Sequence, residues 1–391
     1  MAKHLDARAI LDRLVGFPTV SRDSNLALID WVEDYLDGHG LRGHRVWDRS
    51  GQKAHLYVQV GPDVEGGVVL SAHTDVVPVD GQDWSSDPWT VTERGGRLYG
   101  RGTCDMKGFA ALALAALPRA QAAGLKRPLQ LALSYDEEVG CRAVVDLIEE
   151  MSVHLPRADA VIVGEPSMMK VVTGHKGGMG YAVEVLGHEV HSSLMHRGVS
   201  AVMEAARLID WANRQNAASA ARVAEQGAPY PACDFDPPWT TVHVGVIEGG
   251  TAGNITARSC RFRMEFRVVP GERVEDWAAA FEAEVARVEA AMQAVHPDTR
   301  IRVEKPYGLP PLRPEPDGRA EALVRRLTGD NGTHVVSYGT EGGQFQHRGF
   351  STVICGPGDI AQAHQPDEYL SLAQFRAGAQ FVDTLIDHLR E

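Results

Sequence analysis

Cysteine is scarce in this chain. The five present, Cys104, Cys141, Cys233, Cys260 and Cys355, are dispersed over 391 residues and form no CxxC pair. That excludes a disulfide framework and a structural zinc knot, and fits a reducing, cytoplasmic setting. Cys104, although it neighbours Asp105, reads as a small buried thiol. No apolar run reaches the ~20 residues of a membrane-spanning helix; FAALALAALPRA is short enough to be a buried helix of a globular core. The opening stretch, MAKHLDARAILDRLVGFPTV, has neither an apolar h-region nor a small-residue cleavage site, and reads as an amphipathic helix. A basic stripe is also missing. With a net charge of −13, partners rich in phosphate, nucleic acid or anionic membrane, are not expected. Internal repeats and low-complexity tails are absent.

What is present is the balance of a globular protein, 44% hydrophobic and 23% charged, at a length that suggests two domains. Up to about residue 172, apolar strands (AHLYVQV, GGVVLSAHTD, LQLALSYDEE, ADAVIVGEP) alternate with helical patterns (LALIDWVEDYLDGHG, KGFAALALAALPRAQAAG, RAVVDLIEEM). This order predicts an α/β domain with a mainly parallel sheet covered by helices. From about residue 176 the order changes to strand GMGYAVEVLG, helix AVMEAARLIDWANRQNAA, strands WTTVHVGVIEGG and RSCRFRMEFRVV, helix EDWAAAFEAEVARVEAAMQAV and strand RIRVEKP. That is the βαββαβ pattern of an inserted ferredoxin-like domain. A Pro-rich stretch around Gly227 to Pro238 reads as an exposed loop. The boundaries expected are 1–175 with 308–391 for the first domain and 176–307 for the second, YGLPPLRPEP marking the return.

Chemistry-bearing residues stand at the strand and loop ends of the first domain, where open α/β sheets place their sites. His73 and Asp75 lie in SAHTDVVP, Asp105 in the Gly-rich turn GRGTCDMKG, Glu137 and Glu138 in SYDEEVG, Glu165 in VGEP and His364 in AHQPDEY. Each alone has an ordinary reading: a turn-forming Asp, a helix N-cap, an exposed loop His. Jointly they make an oxygen-rich donor set with two histidines, which suits a pair of Zn²⁺, Co²⁺ or Mn²⁺ ions and metal-assisted hydrolysis. Asp75 suits the role of a carboxylate that orients a ligating His73. Of two adjacent glutamates, one can bind metal while the other stays free as a base. Glu341, in YGTEGGQFQ, is a candidate partner for a cationic substrate tail.

These motifs, in this order and spacing over nearly the full length, resemble the dinuclear zinc metallopeptidase family of aminoacylases, carboxypeptidases and amino-acid deacylases. HKG at 175–177, GHEVHSS, GGTAGNIT, YGTEGGQFQ and ICGPGDIAQAHQPDEYL look most like family members acting on N2-acetyl-L-ornithine. The resemblance implies a catalytic domain and an inserted lid or dimerisation domain, two divalent ions (Zn²⁺, with Co²⁺ as the other option), a small N-acyl amino acid as substrate, and a homodimer. It implies that His73 and Glu165 hold one ion, Glu138 and His364 the other, and Asp105 bridges them, with Glu137 as general base and Asp75 orienting His73. It further implies that His191 reaches the active site of a partner subunit, and that Asn254 and Arg258 bind substrate. Related deacylases, a dipeptidase, and a non-catalytic binding protein on the same fold are the alternatives.

Overall fold

A computed structural model describes residues 5–228 and 230–391. Residues 1–4, the start of the expected first helix, and residue 229 in the expected exposed loop lie outside the described residues. In chain order the elements are α1 (Ala7–Val15), α2 (Leu26–Gly38), β1 (His44–Trp47), β2 (Ala54–Val60), β3 (Gly67–His73), β4 (Thr92–Arg94) and β5 (Arg97–Tyr99). There follow α3 (Lys107–Ala122), β6 (Leu129–Ser134), α4 (Val144–His154), β7 (Ala158–Pro166) and β8 (Val172–His175). Then come β9 (Gly177–Leu186), α5 (Ala201–Gln226), β10 (Thr241–Gly249), β11 (Ser259–Val268), α6 (Val274–Val295) and β12 (Arg300–Leu309). The chain ends with α7 (Arg319–Thr328), β13 (His334–Val336), α8 (Gly342–His347), β14 (Thr352–Gly356), β15 (Tyr369–Ser371) and α9 (Leu372–Leu389).

Two compact units result. The first comprises the described residues up to Gly174, Pro314–Val335 and Thr340–Glu391; the second comprises His175–Arg313 and Val336–Gly339. The first is built on an eight-stranded sheet in the order β1-β2-β6-β3-β7-β14-β8-β13. Its centre, β6-β3-β7-β14, is parallel, and antiparallel pairs flank it on both sides. Strands β3 and β6 are buried along their whole length, the mark of a sheet covered on both faces. Helix α3 is the apolar run noted above, buried without a break from Lys107 to Leu117. It carries Pro118 in its interior, which removes the hydrogen bond to the Leu114 carbonyl; the Tyr35 hydroxyl donates to that carbonyl at 3.4 Å. Contact between α3 and β7 is so close that a Cβ on Gly164 would stand 1.9 Å from the Phe109 ring, so only glycine fits beside Glu165. The chain of the first unit also forms a small sheet, β15-β5-β4, unforeseen because its strands are three residues long. Among the described residues no helix is long and apolar enough to cross a membrane.

The second unit runs β9-α5-β10-β11-α6-β12, with the antiparallel sheet order β10-β11-β9-β12. This is the split βαββαβ arrangement expected from the sequence. Strand β11 alternates buried and more exposed residues, placing Phe262, Met264 and Phe266 in a core with Tyr181, Trp211 and Phe281. Strand β10 lies at an edge and exposes Val246 and Ile247.

Candidate metal centre

The C-terminal ends of the parallel strands converge on the predicted residues. His73 closes β3, opposite Ser134 of β6, and Glu165 lies near the end of β7. Glu137 and Glu138 follow β6 in a turn, Asp105 sits in the loop ahead of α3, and His364 lies in the loop before β15. Asp105 occupies the middle. Its Oδ1 lies 2.9 Å from His73 Nε2, and its Oδ2 lies 3.3 Å from His364 Nε2. On the first side Glu165 Oε1 is 3.6 Å from the same His73 nitrogen. On the other, Glu138 Oε2 is 3.0 Å from His364 Nε2. The donor atoms of His73, Glu137 and Glu165, and those of His73, Asp105 and Glu138, each cluster within 4.8 Å of one another.

Electrostatics say what such a cluster needs. Asp75, Asp105, Glu137, Glu165, Glu341 and Glu368 are buried, and the Glu138 carboxylate is 7% exposed. Among the described residues of this unit, Arg101 and Lys107 are the buried Arg and Lys side chains. Seven carboxylates against two cations is a costly excess of buried negative charge, and two divalent cations would nearly cancel it. The pKa shifts express the same imbalance. Burial, helped by neighbouring acids, pushes Glu137 up to about 8 and Glu138 up to about 7, and holds Glu165 well above the usual carboxylate range. Hydrogen bonds donated by its ring to the Asp105 and Glu138 carboxylates raise His364 to about 10. Burial alone would lower His73, but the Asp105 and Glu165 carboxylates outweigh it and raise it well above its ordinary value. Two imidazoles drawn toward protonation by surrounding carboxylates occupy a place where a metal ion competes with the proton. The donor set, one His and one Glu on each side of a shared Asp, fits two divalent ions.

Asp75 has a wider role than the sequence reading gave it. His73 Nδ1 is 2.9 Å from the Asp75 backbone carbonyl, whereas its distance to the Asp75 carboxylate is 3.7 Å. The carboxylate instead accepts from the Ser21 hydroxyl and from the backbone N–H groups of Glu137 and Glu138. It therefore fixes the turn that carries both glutamates, while the main chain of the same residue orients His73. Glu137 Oε1 accepts from the Cys141 thiol at 3.0 Å. Cys104 is buried and its thiol donates to the Asp359 carbonyl at 3.4 Å.

Glu341 requires a correction. It is 0% exposed, and its two oxygens accept from the hydroxyls of Ser71 and Ser134 at 2.5 and 2.7 Å. Closed off from solvent and engaged by a hydroxyl on each oxygen, the carboxylate supports the ends of β3 and β6 from within, rather than standing at the surface where a substrate tail would meet it. Sequence reasoning also missed Arg101 and Glu368. Glu368 is the acid of the same AHQPDEY stretch that supplies His364, and nothing in the pattern announced its burial.

His191, Asn254 and Arg258 belong to the second unit and are exposed. The structure brings them into neighbouring segments. His191 pairs with Ile255 in an isolated bridge, Ser192 N–H donates to the Asn254 carbonyl at 2.8 Å, and Gly187 N–H donates to the Arg258 carbonyl at 2.7 Å. His191 Nδ1 lies 2.8 Å from the Ser193 hydroxyl.

A parallel sheet whose strand ends gather two histidines about a central aspartate, with a spare buried glutamate alongside, defines a metal-dependent hydrolase. Residues 69–388 match Peptidase family M20/M25/M40, and the chain belongs to that family. It is 37% identical to an acetylornithine deacetylase of Myxococcus xanthus over 375 residues, covering 93% of this chain and 92% of the other. It is 30% identical to an acetylornithine deacetylase of Pasteurella multocida, covering 95% and 92%. Among solved structures, an M20 family metallo-carboxypeptidase, Sso-CP2, from Sulfolobus solfataricus superposes with a TM-score of 0.77 at 17% identity, covering 99% of each chain; this likeness speaks to the fold. The chain is a metal-dependent amide hydrolase.

Proposed function

We propose that this hydrolase removes the acetyl group from N2-acetyl-L-ornithine, giving ornithine and acetate, as a cytoplasmic homodimer serving arginine biosynthesis. The names of the relatives at 30–37% identity support the substrate. The observation that carries the site is the central placement of Asp105, one oxygen toward each histidine. In this reading His73 and Glu165 hold one Zn²⁺, with Co²⁺ as the alternative metal, Glu138 and His364 hold the other, and Asp105 is shared. Bound divalent ions polarise an amide carbonyl and acidify water. Glu137, buried beside the ligands and accepting from the Cys141 thiol, accepts a proton from the attacking water and delivers it to the departing amine. Asp75 holds the Glu137–Glu138 turn in place. His191, from a partner subunit, donates to the developing oxyanion, a contact of the kind worth ~3 kcal/mol. Asn254 and Arg258 engage the substrate, the guanidinium matching its carboxylate. The exposed β10 edge with Val246 and Ile247 favours a dimer, since such an edge needs covering.

The test is hydrolysis of N-acetylornithine, N-acetylcitrulline, N-succinyl-diaminopimelate and a dipeptide side by side with added Zn²⁺ or Co²⁺. N-acetylornithine is expected to give the highest kcat/KM. A higher value for any of the other three would assign the chain to a related deacylase or a dipeptidase instead.

A further inference from the structure

Not all ligands of the proposed centre are held equally. His73 and Glu165 project from β3 and β7, two central strands paired to each other and buried on both faces. The other half has no such support. Asp105, Glu138 and His364 all lie on loops, the His364 side chain is 53% exposed, and its backbone adopts φ 63°, a left-handed conformation that a side chain disfavours. Something must fix these loops relative to one another if a second ion is to bind there.

Glu368 and Arg101 stand where that is done. Both side chains are 1% exposed and pair at 2.7 Å. Glu368 Oε2 accepts from Arg101 Nη1 and from Gly102 N–H, and its Oε1 accepts from the backbone N–H groups of Cys104 and Asp105 at 2.9 and 3.1 Å. One carboxylate thus gathers the whole turn that presents Asp105. The same residue's backbone carbonyl accepts from Gly100 N–H. Arg101 continues the chain outward. Its Nη2 donates to Gln82 Oε1 at 2.6 Å, its guanidinium lies over the Trp84 ring, and Gln82 Nε2 donates to the His364 carbonyl at 3.0 Å. A continuous path of hydrogen bonds therefore runs from the Asp105 amide through Glu368, Arg101 and Gln82 to the His364 backbone. No comparable path is needed at His73 and Glu165, where the sheet itself sets the geometry.

We propose that Glu368 and Arg101 are positioning residues that assemble the His364 side of the centre, so that the second ion's affinity, which draws on both Asp105 and the tethered His364, depends on them more steeply than the first ion's, which shares only Asp105. This rests on the two-ion reading above. Groups that orient ligands change metal affinity by about 10–100-fold when removed, and here the larger change should fall on the second ion. Glu368→Gln keeps the size of the side chain but sets an N–H₂ group against either Arg101 or the amides of the Asp105 turn. Gln82→Ala cuts only the outer link, at a half-buried residue, and leaves the buried ion pair intact.

The experiment is titration of the full chain, stripped with a chelator, by Zn²⁺ in competition with a chromophoric chelator. Wild type should take up two ions. Glu368→Gln should hold its first ion within about threefold of wild type and its second at least about tenfold more weakly, and Gln82→Ala should weaken the second by a smaller factor. Unchanged affinity for the second ion in both variants, or equal weakening of both ions in both, would overturn the proposal; if Glu368→Gln fails to fold, Gln82→Ala decides by the same criteria. Wild type binding a single ion would overturn the two-ion reading and the clamp with it.

Discussion

Replacing Glu137 by Gln should separate catalysis from stability in opposite directions. Glu137 is 9% exposed and its pKa is pushed up to about 8, by burial first, with Glu138 and Asp105 adding to it against the pull of His73. The folded, metal-stripped chain therefore keeps a proton on this group between roughly pH 4.5 and 8, where the unfolded chain has released it. Folding then takes up a proton, so stability falls as pH rises through that window, by roughly 3 kcal/mol at neutral pH from this one group. Gln is nearly isosteric, neutral at every pH and still able to accept from the Cys141 thiol. The metal-stripped variant should consequently lose that part of the pH dependence and unfold at higher urea than wild type at pH 8, with little difference at pH 4.5. In the metal-loaded enzyme the same change removes the proton acceptor, and general acid–base contributions are typically 10²–10⁴-fold. The assays are urea unfolding of stripped protein at the two pH values and kcat of the loaded enzyme with its metal content measured. A loaded variant with kcat within a factor of a few of wild type would refute the assignment of the base. A stripped variant less stable than wild type at pH 8 would refute the electrostatic reasoning.

Three further outcomes are expected. His55 is fully buried against the Tyr135 ring, and burial outweighs a hydrogen bond with the Ala143 backbone and the Asp48 charge to lower its pKa to about 3. The unfolded chain gains a proton below about pH 6.5 that the folded chain refuses, so His55→Phe should relieve roughly 2 kcal/mol of acid destabilisation at pH 5 in urea unfolding, and an equal pH dependence in both proteins would contradict this. Gly164→Ala would drive a methyl into the Phe109 ring and should cost about 1–3 kcal/mol; pairing it with Phe109→Ala should give a total well below the sum of the single losses, whereas simple additivity would deny the contact. Glu341→Ala strands the Ser71 and Ser134 hydroxyls, costing about 1–3 kcal/mol for each buried group left unpaired, while the preference for N-acetylornithine over neutral N-acetyl amino acids stays unchanged; a lost preference with intact stability would return Glu341 to the substrate.

The parts of this molecule legible in sequence were those with a period or a chemical signature. The unbroken apolar strands ending at His73 and Glu165 announced a buried parallel sheet, and the alternation in RSCRFRMEFR announced a half-covered one. The proposed metal donors stood out only jointly, since each has an ordinary reading alone but together they form an oxygen-rich set with two histidines at strand and loop ends. What stayed hidden depends on tertiary context. Glu341 and Glu368 look like ordinary loop acids, and only packing shows that one is locked under the sheet ends and the other inside a turn. Asp75 shows the same limit more finely, since its main chain and its carboxylate serve different neighbours. The edge strands β1 and β13 and the three-residue strands of the small sheet carry too little pattern to be seen in advance.

The most direct test of the two-ion centre is a crystal of the zinc-loaded chain measured on both sides of the zinc absorption edge. Two anomalous peaks are expected, one contacted by His73, Asp105 and Glu165, the other by Asp105, Glu138 and His364. A single peak, or peaks away from Asp105, would contradict the account.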